Sequence, residues 1–329
     1  MPPRSPEVLR FGVPASPERV NRRAKQNASL LVHGDARDLA SHVGAGSADL
    51  AYLDPPFKVE KAFGARIVRG ARAKGPVAYV DVWPSLDGYL AWLEERIVVV
   101  RHLLSARGTM WLHLDQRAVH EAKVLCDRVF GAPRFHGEVI WVPGNGSKSK
   151  TGPGMGHQTL LLYTRGDGPI WNGKDPALRA PFAATSQSMH FKNVDADGRR
   201  YRDRVIGKKT YRYYADEGRA LGSVWTDCPS MSANTPLRAE TTGYPTQKPL
   251  KLLERIVRAS SDEGSLVIDP FCGSGTTLAA AAAAKRRFVG SDVGTLAIET
   301  TRTRLDEAGV SYRFVPSSRS PLRASRSAS

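Results

Sequence analysis

Residues 267–281 read VIDPFCGSGTTLAAA. An apolar run closes on an acid, Asp269, then passes through a glycine-containing turn into an alanine-rich segment, which spells strand, tight turn and helix start. Gly273 and Gly275 let a ligand approach the backbone closely, and Thr276 or Thr277 can cap the helix that follows. Gly-x-Gly alone is weak, so what surrounds it decides the reading. The dinucleotide fingerprint asks for a third glycine three positions on; Leu278 stands there, so a pyrophosphate cradle is not spelled out.

The next apolar run, RFVGSDV (287–293), ends in Asp292. Alone, that acid could be an ordinary strand-end carboxylate; beside 267–277 it suits a bidentate grip on ribose hydroxyls. The combination fits an adenosine ligand without a pyrophosphate, S-adenosylmethionine first, with Asp269 facing its amino-acid end.

Outward from this unit, short apolar runs recur at 29–35, 48–54, 108–115, 138–142, 159–164 and 264–270, and several end in Asp or Gly. Helical patterns separate them at 86–104, 116–130, 248–259 and 276–285; the first places Leu90, Leu93, Ile97, Val100 and Leu104 on one face. Alternating strands and helices predict an α/β domain with a mostly parallel sheet, which binds ligands beyond the carboxyl ends of its strands. Residues 165–243 break the rhythm with Gly, Arg, Asp and aromatics and read as an inserted, substrate-facing region. Residues 1–28 read as an arm, and the Ser- and Arg-rich 316–329 as a disordered basic tail.

The chain of 329 residues carries 48 Lys and Arg against 32 Asp and Glu, a formal charge of +16. Such an excess points to a polyanion, nucleic acid first and an anionic membrane surface second. Cys126, Cys228 and Cys272 form no CxxC pair, so no zinc ribbon or disulfide framework is suggested, no metal is expected, and a reducing cytoplasm fits. The N-terminus lacks the apolar core of a signal peptide, and no apolar run is long enough to span a membrane.

The run ADLAYLDPPF (48–57) ends in a stiff corner. Pro55 and Pro56 remove two N–H donors, while Asp54 offers a carboxylate and Phe57 a ring. The corner is built to accept hydrogen bonds.

With both motifs placed, the chain resembles the beta-type amino DNA methyltransferases, the adenine-N6 and cytosine-N4 enzymes. The shared blocks are GDARDL (34–39), ADLAYLDPPF (48–57), GTMWLHLD (108–115), FHGEVIWV (135–142), GHQTLLLYT (156–164), GYPTQKPLKLLERIV (243–257) and VIDPFCGSGTT (267–277). The catalytic block precedes the cofactor block, as in this permuted class. The resemblance implies a Rossmann-like S-adenosylmethionine-dependent methyltransferase fold: a mostly parallel sheet with a β-hairpin edge, in two halves (29–164 and 244–315) around an inserted target-recognition region (165–243).

It also implies a chemistry. The exocyclic amine is a poor nucleophile because its lone pair is delocalised into the ring. Asp54 and the Pro55 carbonyl would take its two hydrogens and aim the lone pair at the sulfonium methyl, Pro56 would stiffen the corner, and Phe57 would stack an extruded base. The proton would leave by the carboxylate or to water. Asp35 would contact the cofactor adenine. Tyr244, Pro245, Thr246, Gln247, Lys248 and Pro249 would lie near the methionine carboxylate, and Pro270, Phe271, Cys272, Ser274 and Thr276 would complete the cofactor site around Gly273 and Gly275.

Three basic stretches are expected to meet DNA. The loop after Phe57 carries Lys58, Lys61, Arg66, Arg69 and Arg72. The glycine-rich 144–158 carries Lys148 and Lys150. The insert carries Arg200, Arg202, Lys208 and Lys209 among tyrosines. Asp54, where the cytosine-N4 branch more often has Ser, favours adenine in double-stranded DNA. The alternatives are cytosine N4, a catalytically silent DNA-binding subunit, and a nicotinamide oxidoreductase, which Leu278 and the unexplained DPPF disfavour. A cognate restriction endonuclease and a homodimer stand as partners by analogy alone, and the expected location is the cytoplasm, on the nucleoid when DNA is bound.

Overall fold

The computed structural model describes residues 28–66, 74–146, 148–231 and 240–317. Its principal strands are β1 (Leu30–His33), β2 (Ala48–Leu53), β5 (Leu104–Leu114), β6 (Phe135–Trp141), β7 (Gln158–Thr164), β14 (Leu266–Asp269), β15 (Arg287–Asp292) and β16 (Arg313–Val315). Between them run α1 (Leu86–Leu103), α2 (Val119–Phe130), α4 (Leu250–Ser260), α5 (Thr276–Ala283) and α6 (Thr295–Glu307). A ribbon, β3 (Lys61–Arg66) and β4 (Lys74–Asp81), precedes α1. The stretch after β7 holds the short helix α3 (Ala184–His190) and strands β8 (Arg179–Ala180), β9 (Asn193–Val194), β10 (Arg200–Ile206), β11 (Lys209–Tyr214), β12 (Arg219–Ala220) and β13 (Val224–Trp225).

The main sheet runs β13-β6-β7-β5-β2-β14-β15-β1-β16. Its strands pair in parallel except at β7, which is antiparallel to both β5 and β6; β6 and β7 form the expected hairpin, and the two-residue β13 lies outside it at the edge. From β2 the chain crosses by α1 to β5 on one side, and from β14 by α5 to β15 on the other. The strand order therefore reverses between β2 and β14, where an open α/β sheet leaves its crevice.

Side-chain alternation splits the core into two layers. Along β2, Ala51 and Leu53 pack with Leu93, Ile97 and Val100 of α1 and with α2, whereas Leu50 and Tyr52 pack with α4, α5 and α6. Helix α1 starts where the Ser85 hydroxyl accepts from the Gly88 N–H, and it carries Asp87 in its first turn and Arg101 and His102 in its last, which complements its dipole.

Neither threonine caps α5: it begins after Gly275, in the left-handed region at φ 73°, without a side-chain cap. Leu278, the departure from the three-glycine pattern, is fully buried against Gly290, where a Cβ would lie 2.5 Å from its Cδ1. The small residue that lets helix and strand approach has moved from the helix to β15. Gly290→Ala is therefore expected to destabilise by about 1–3 kcal/mol, as overpacking does, and adding Leu278→Ala should cost less in that background than in the parent. Urea unfolding measures both; strict additivity would contradict the contact.

The segment after Phe57, expected as a basic loop, forms strands β3 and β4 among its described residues. Strands β3 and β4 pair antiparallel, with Phe63 stacked on Tyr79 at 4.8 Å. Arg69 and Arg72 lie outside the described residues, as do the N-terminal arm to residue 27 and the tail from 318. Helix α6 was not foreseen: its buried stripe of Ala297, Thr301 and Leu305 uses a threonine where an apolar residue would have marked the period.

Candidate active site

Four parallel strands end side by side, and the residue at or just beyond each end is acidic: Asp35 after β1, Asp54 after β2, Asp269 closing β14 and Asp292 closing β15. All four line one cavity of about 210 Å³. Two motifs more than 200 residues apart in the chain, DPPF and the glycine turn, thus share one wall-to-wall space.

Asp54 is held as an ion pair. The Lys248 ammonium donates to its Oδ1 at 2.8 Å and its Oδ2 at 2.6 Å, and sits 4.9 Å from the centre of the Phe57 ring. Burial pushes the Asp54 carboxyl above its ordinary range, and Lys248 pulls against that rise. Behind it, Tyr52 and His113 are hydrogen-bonded at 2.8 Å, with His113 Nδ1 4.0 Å from Asp54. Burial, reinforced by Lys248, pushes His113 well below its ordinary value, so a neutral imidazole backs the carboxylate.

The corner is braced from outside. The Tyr89 hydroxyl donates to the Pro56 carbonyl at 2.9 Å. The fully buried Asp81 accepts from the backbone N–H groups of Lys58 and Val59 at 3.0 and 2.9 Å and from Trp83 Nε1 at 2.8 Å. Lys58 and Glu60, on either side of Val59, sit at φ 59° and 58°, left-handed values that neither residue favours.

Across the cavity, Asp292 organises the glycine turn: its Oδ2 accepts from the Gly273 N–H at 3.0 Å and its Oδ1 from the Gly294 N–H at 2.8 Å. Gly273, at φ 50°, lies against Tyr244, where a Cβ would come within 3.2 Å of the ring. Burial raises both acids, Asp269 to about 7. Pro270, Phe271, Cys272, Ser274 and Thr276 line the cavity with them.

Three expected cofactor residues, Pro245, Pro249 and Gly275, do not. Gly275 turns toward Thr301, 2.8 Å from where its Cβ would be, and Pro249 serves as the N-cap of α4. Asp35 lines the cavity but spends its carboxylate locally, accepting from Arg37 and, at 2.6 Å, from Arg96 Nη2. Lys248, expected to face a ligand carboxylate, has Asp54 as its partner. Thr246 lines the cavity at φ 61°, strained for a β-branched residue, with its hydroxyl 3.3 Å from Tyr79.

Tyr52, Tyr79, Asp81, Tyr89 and His113 were not foreseen. Only strand neighbourhood could have revealed His113: β5 pairs with β2 so that Leu112 faces Leu53, which sets His113 beside Asp54.

The basic candidates sit in varied surroundings. Lys58 pairs with Glu60 at 2.6 Å. Lys61, Lys148, Lys150, Lys208 and Lys209 are exposed, the last two at the tip of the β10–β11 hairpin beside exposed Val205 and Ile206. Arg200 donates to the Phe191 carbonyl, and Arg202 lies among the rings of Phe182, Phe191 and Tyr213. The stretch after β7 is not wholly separate: β13 joins the main sheet, and Leu178 and Trp225 are buried in its core.

A DNA methylase family model matches residues 48–302. Among curated proteins, the chain is 27% identical over 287 residues to DNA adenine methyltransferase YhdJ of Escherichia coli, covering 87% of this chain and 85% of that one. It is 28% identical over 303 residues to the type II methyltransferase M.EcaI of Enterobacter cloacae, covering 78% of this chain and 64% of that one. Two solved structures share the fold. The TTHA0409 protein of Thermus thermophilus, complexed with S-adenosyl-L-methionine, aligns at TM-score 0.50 with 19% identity, covering 89% of this chain and 100% of that one. The PvuII cytosine-N4-specific DNA methyltransferase aligns at 0.53 with 14% identity, covering 84% and 86%. No described helix is long and apolar enough to cross a membrane.

Proposed function

The chain belongs to the N6/N4 DNA methylase family, and from that premise we propose that it transfers a methyl group from S-adenosylmethionine to the N6 amine of adenine in double-stranded DNA, the base being flipped out of the helix. The observation that carries this is the shared cavity: the acceptor corner of Asp54 and Pro55 opens onto the same space as Gly273 and Asp292.

When bound, the cofactor supplies an electrophilic methyl on a sulfonium. Asp54 and the Pro55 carbonyl accept the two amine hydrogens, which draws the nitrogen toward tetrahedral geometry and directs its lone pair at that methyl. The Phe57 ring offers a face for the extruded base, and Asp292 and the Gly273 turn hold the adenosine. Transfer of the methyl to the nitrogen would leave a neutral thioether, and Asp54 or water would take the nitrogen's proton. Asp54 in place of a serine and the likeness to a relative named as an adenine methyltransferase support adenine. The exposed Lys61, Lys148, Lys150, Lys208 and Lys209 are the cations we assign to phosphate.

Incubating DNA with the protein and S-adenosylmethionine and then analysing nucleosides by mass spectrometry tests this. N6-methyldeoxyadenosine is expected; N4-methyldeoxycytidine would return the cytosine reading, and neither base, with the cofactor bound, a silent subunit.

The acids across the cavity set a pH dependence. Asp269, raised to about 7 by burial, is protonated below that value in the ligand-free chain. A cationic ligand favours the ionised form, so binding releases a proton below pH 7 and none well above it. Affinity for S-adenosylmethionine should thus fall about tenfold per pH unit below 7 and level off above. Asp269→Asn should flatten the profile in calorimetric titrations; an unchanged slope would assign the dependence elsewhere.

A further inference from the structure

Lys248 occupies the ground on which the proposed chemistry must happen. Its ammonium takes both oxygens of Asp54, and it stands over the Phe57 ring. A target amine needs those oxygens, and a flipped base needs that face, so Lys248 and the base exclude one another. The lysine must move before the corner can act.

Where it can go follows from charge. The cavity lining holds four carboxylates, of Asp35, Asp54, Asp269 and Asp292, and among the described residues Lys248 is its one cation. Its side chain is only 9% exposed, so leaving Asp54 with no other anion to meet would strand a buried charge. The entrance of α4 makes this worse, because a helix N-terminus disfavours a cation. The methyl donor carries its own α-carboxylate, and the flexible four-carbon lysine stem is rooted beside Thr246 and Gln247, which line the same cavity.

Resting on the methyltransferase reading above, we propose that Lys248 is a latch shared by the two substrates. With the cavity empty it fills the target-amine position on Asp54; the α-carboxylate of the methyl donor draws it off, which frees both Asp54 oxygens and the Phe57 face for the base. Cofactor binding and base capture are then coupled through one side chain, and Asp54 competes with the cofactor for Lys248.

That competition is measurable without knowing the DNA site. Calorimetric titration of the full chain compares S-adenosylhomocysteine with its decarboxylated analogue, across wild type, Asp54→Asn, Lys248→Met and the double variant. Asp54→Asn releases the lysine, so it should tighten S-adenosylhomocysteine about threefold or more and leave the decarboxylated analogue unchanged. Lys248→Met should abolish both that tightening and the preference for the carboxylate, and Lys248→Gln gives the same comparison if the methionine variant unfolds. A wild-type affinity indifferent to Asp54→Asn, or a carboxylate preference that survives Lys248→Met, would make the pair a fixed brace and overturn the latch. Wild type binding neither compound would instead overturn the methyltransferase reading, and the latch with it.

Discussion

Replacing Asp54 with Asn should lower kcat by about 100- to 1,000-fold, the scale of removing one preorganised hydrogen-bonding group from a transition state, while S-adenosylmethionine binds at least as tightly as to the parent. In the proposed reaction the carboxylate contributes as the amine nitrogen gains positive charge, so its loss should appear in kcat and kcat/KM together and not in cofactor binding. Asn is the variant of choice. Either substitution removes the charge paired with the buried Lys248 ammonium, and breaking a buried pair costs about 3–5 kcal/mol of stability, but the Asn amide keeps an oxygen that can accept from that ammonium, which Asp54→Ala does not. Steady-state methylation with calorimetric cofactor titration separates the two effects. A kcat within fivefold of the parent would remove Asp54 from the chemistry.

Asp292→Ala should do the reverse. The carboxylate bonds the N–H groups of Gly273 and Gly294, and so fixes the turn that approaches the ligand. Its remaining lone pairs are free to accept ribose hydroxyls. Losing charge-assisted bonds of this kind costs about 1.5–3 kcal/mol each, so the cofactor Kd should rise about 100-fold, with kcat at saturation changed only a few-fold. A Kd within threefold of the parent would show that the adenosine is held elsewhere.

The sheet was legible because its strands are continuous apolar runs that stop at acids. Residues 48–54 and 264–270 could be read as buried parallel strands, and their terminal acids as the floor of a site, before any fold was known. What sequence could not supply was neighbourhood. That Lys248 lies on Asp54 depends on α4 arriving above the crevice, and that Asp81 staples the backbone of Lys58 and Val59 depends on the β3–β4 ribbon folding back. Both are contacts between distant segments, with no local pattern to betray them. The ribbon itself was missed because Val77, Ala78, Tyr79 and Val80 run apolar on both faces, which leaves no alternation amid the surrounding cations. Leu278 misled only in part: its clash with the three-glycine pattern excluded a pyrophosphate cradle, but the close helix–strand approach survives through Gly290.

The most direct measurement is a crystal structure of this chain with S-adenosylhomocysteine. The ribose hydroxyls are expected on Asp292 and the sulfur directed across the cavity at the Asp54–Pro55 corner, leaving room between them for one methyl and one amine. A sulfur pointing to solvent, or an adenine ring lodged against Pro55 and Phe57, would contradict that placement.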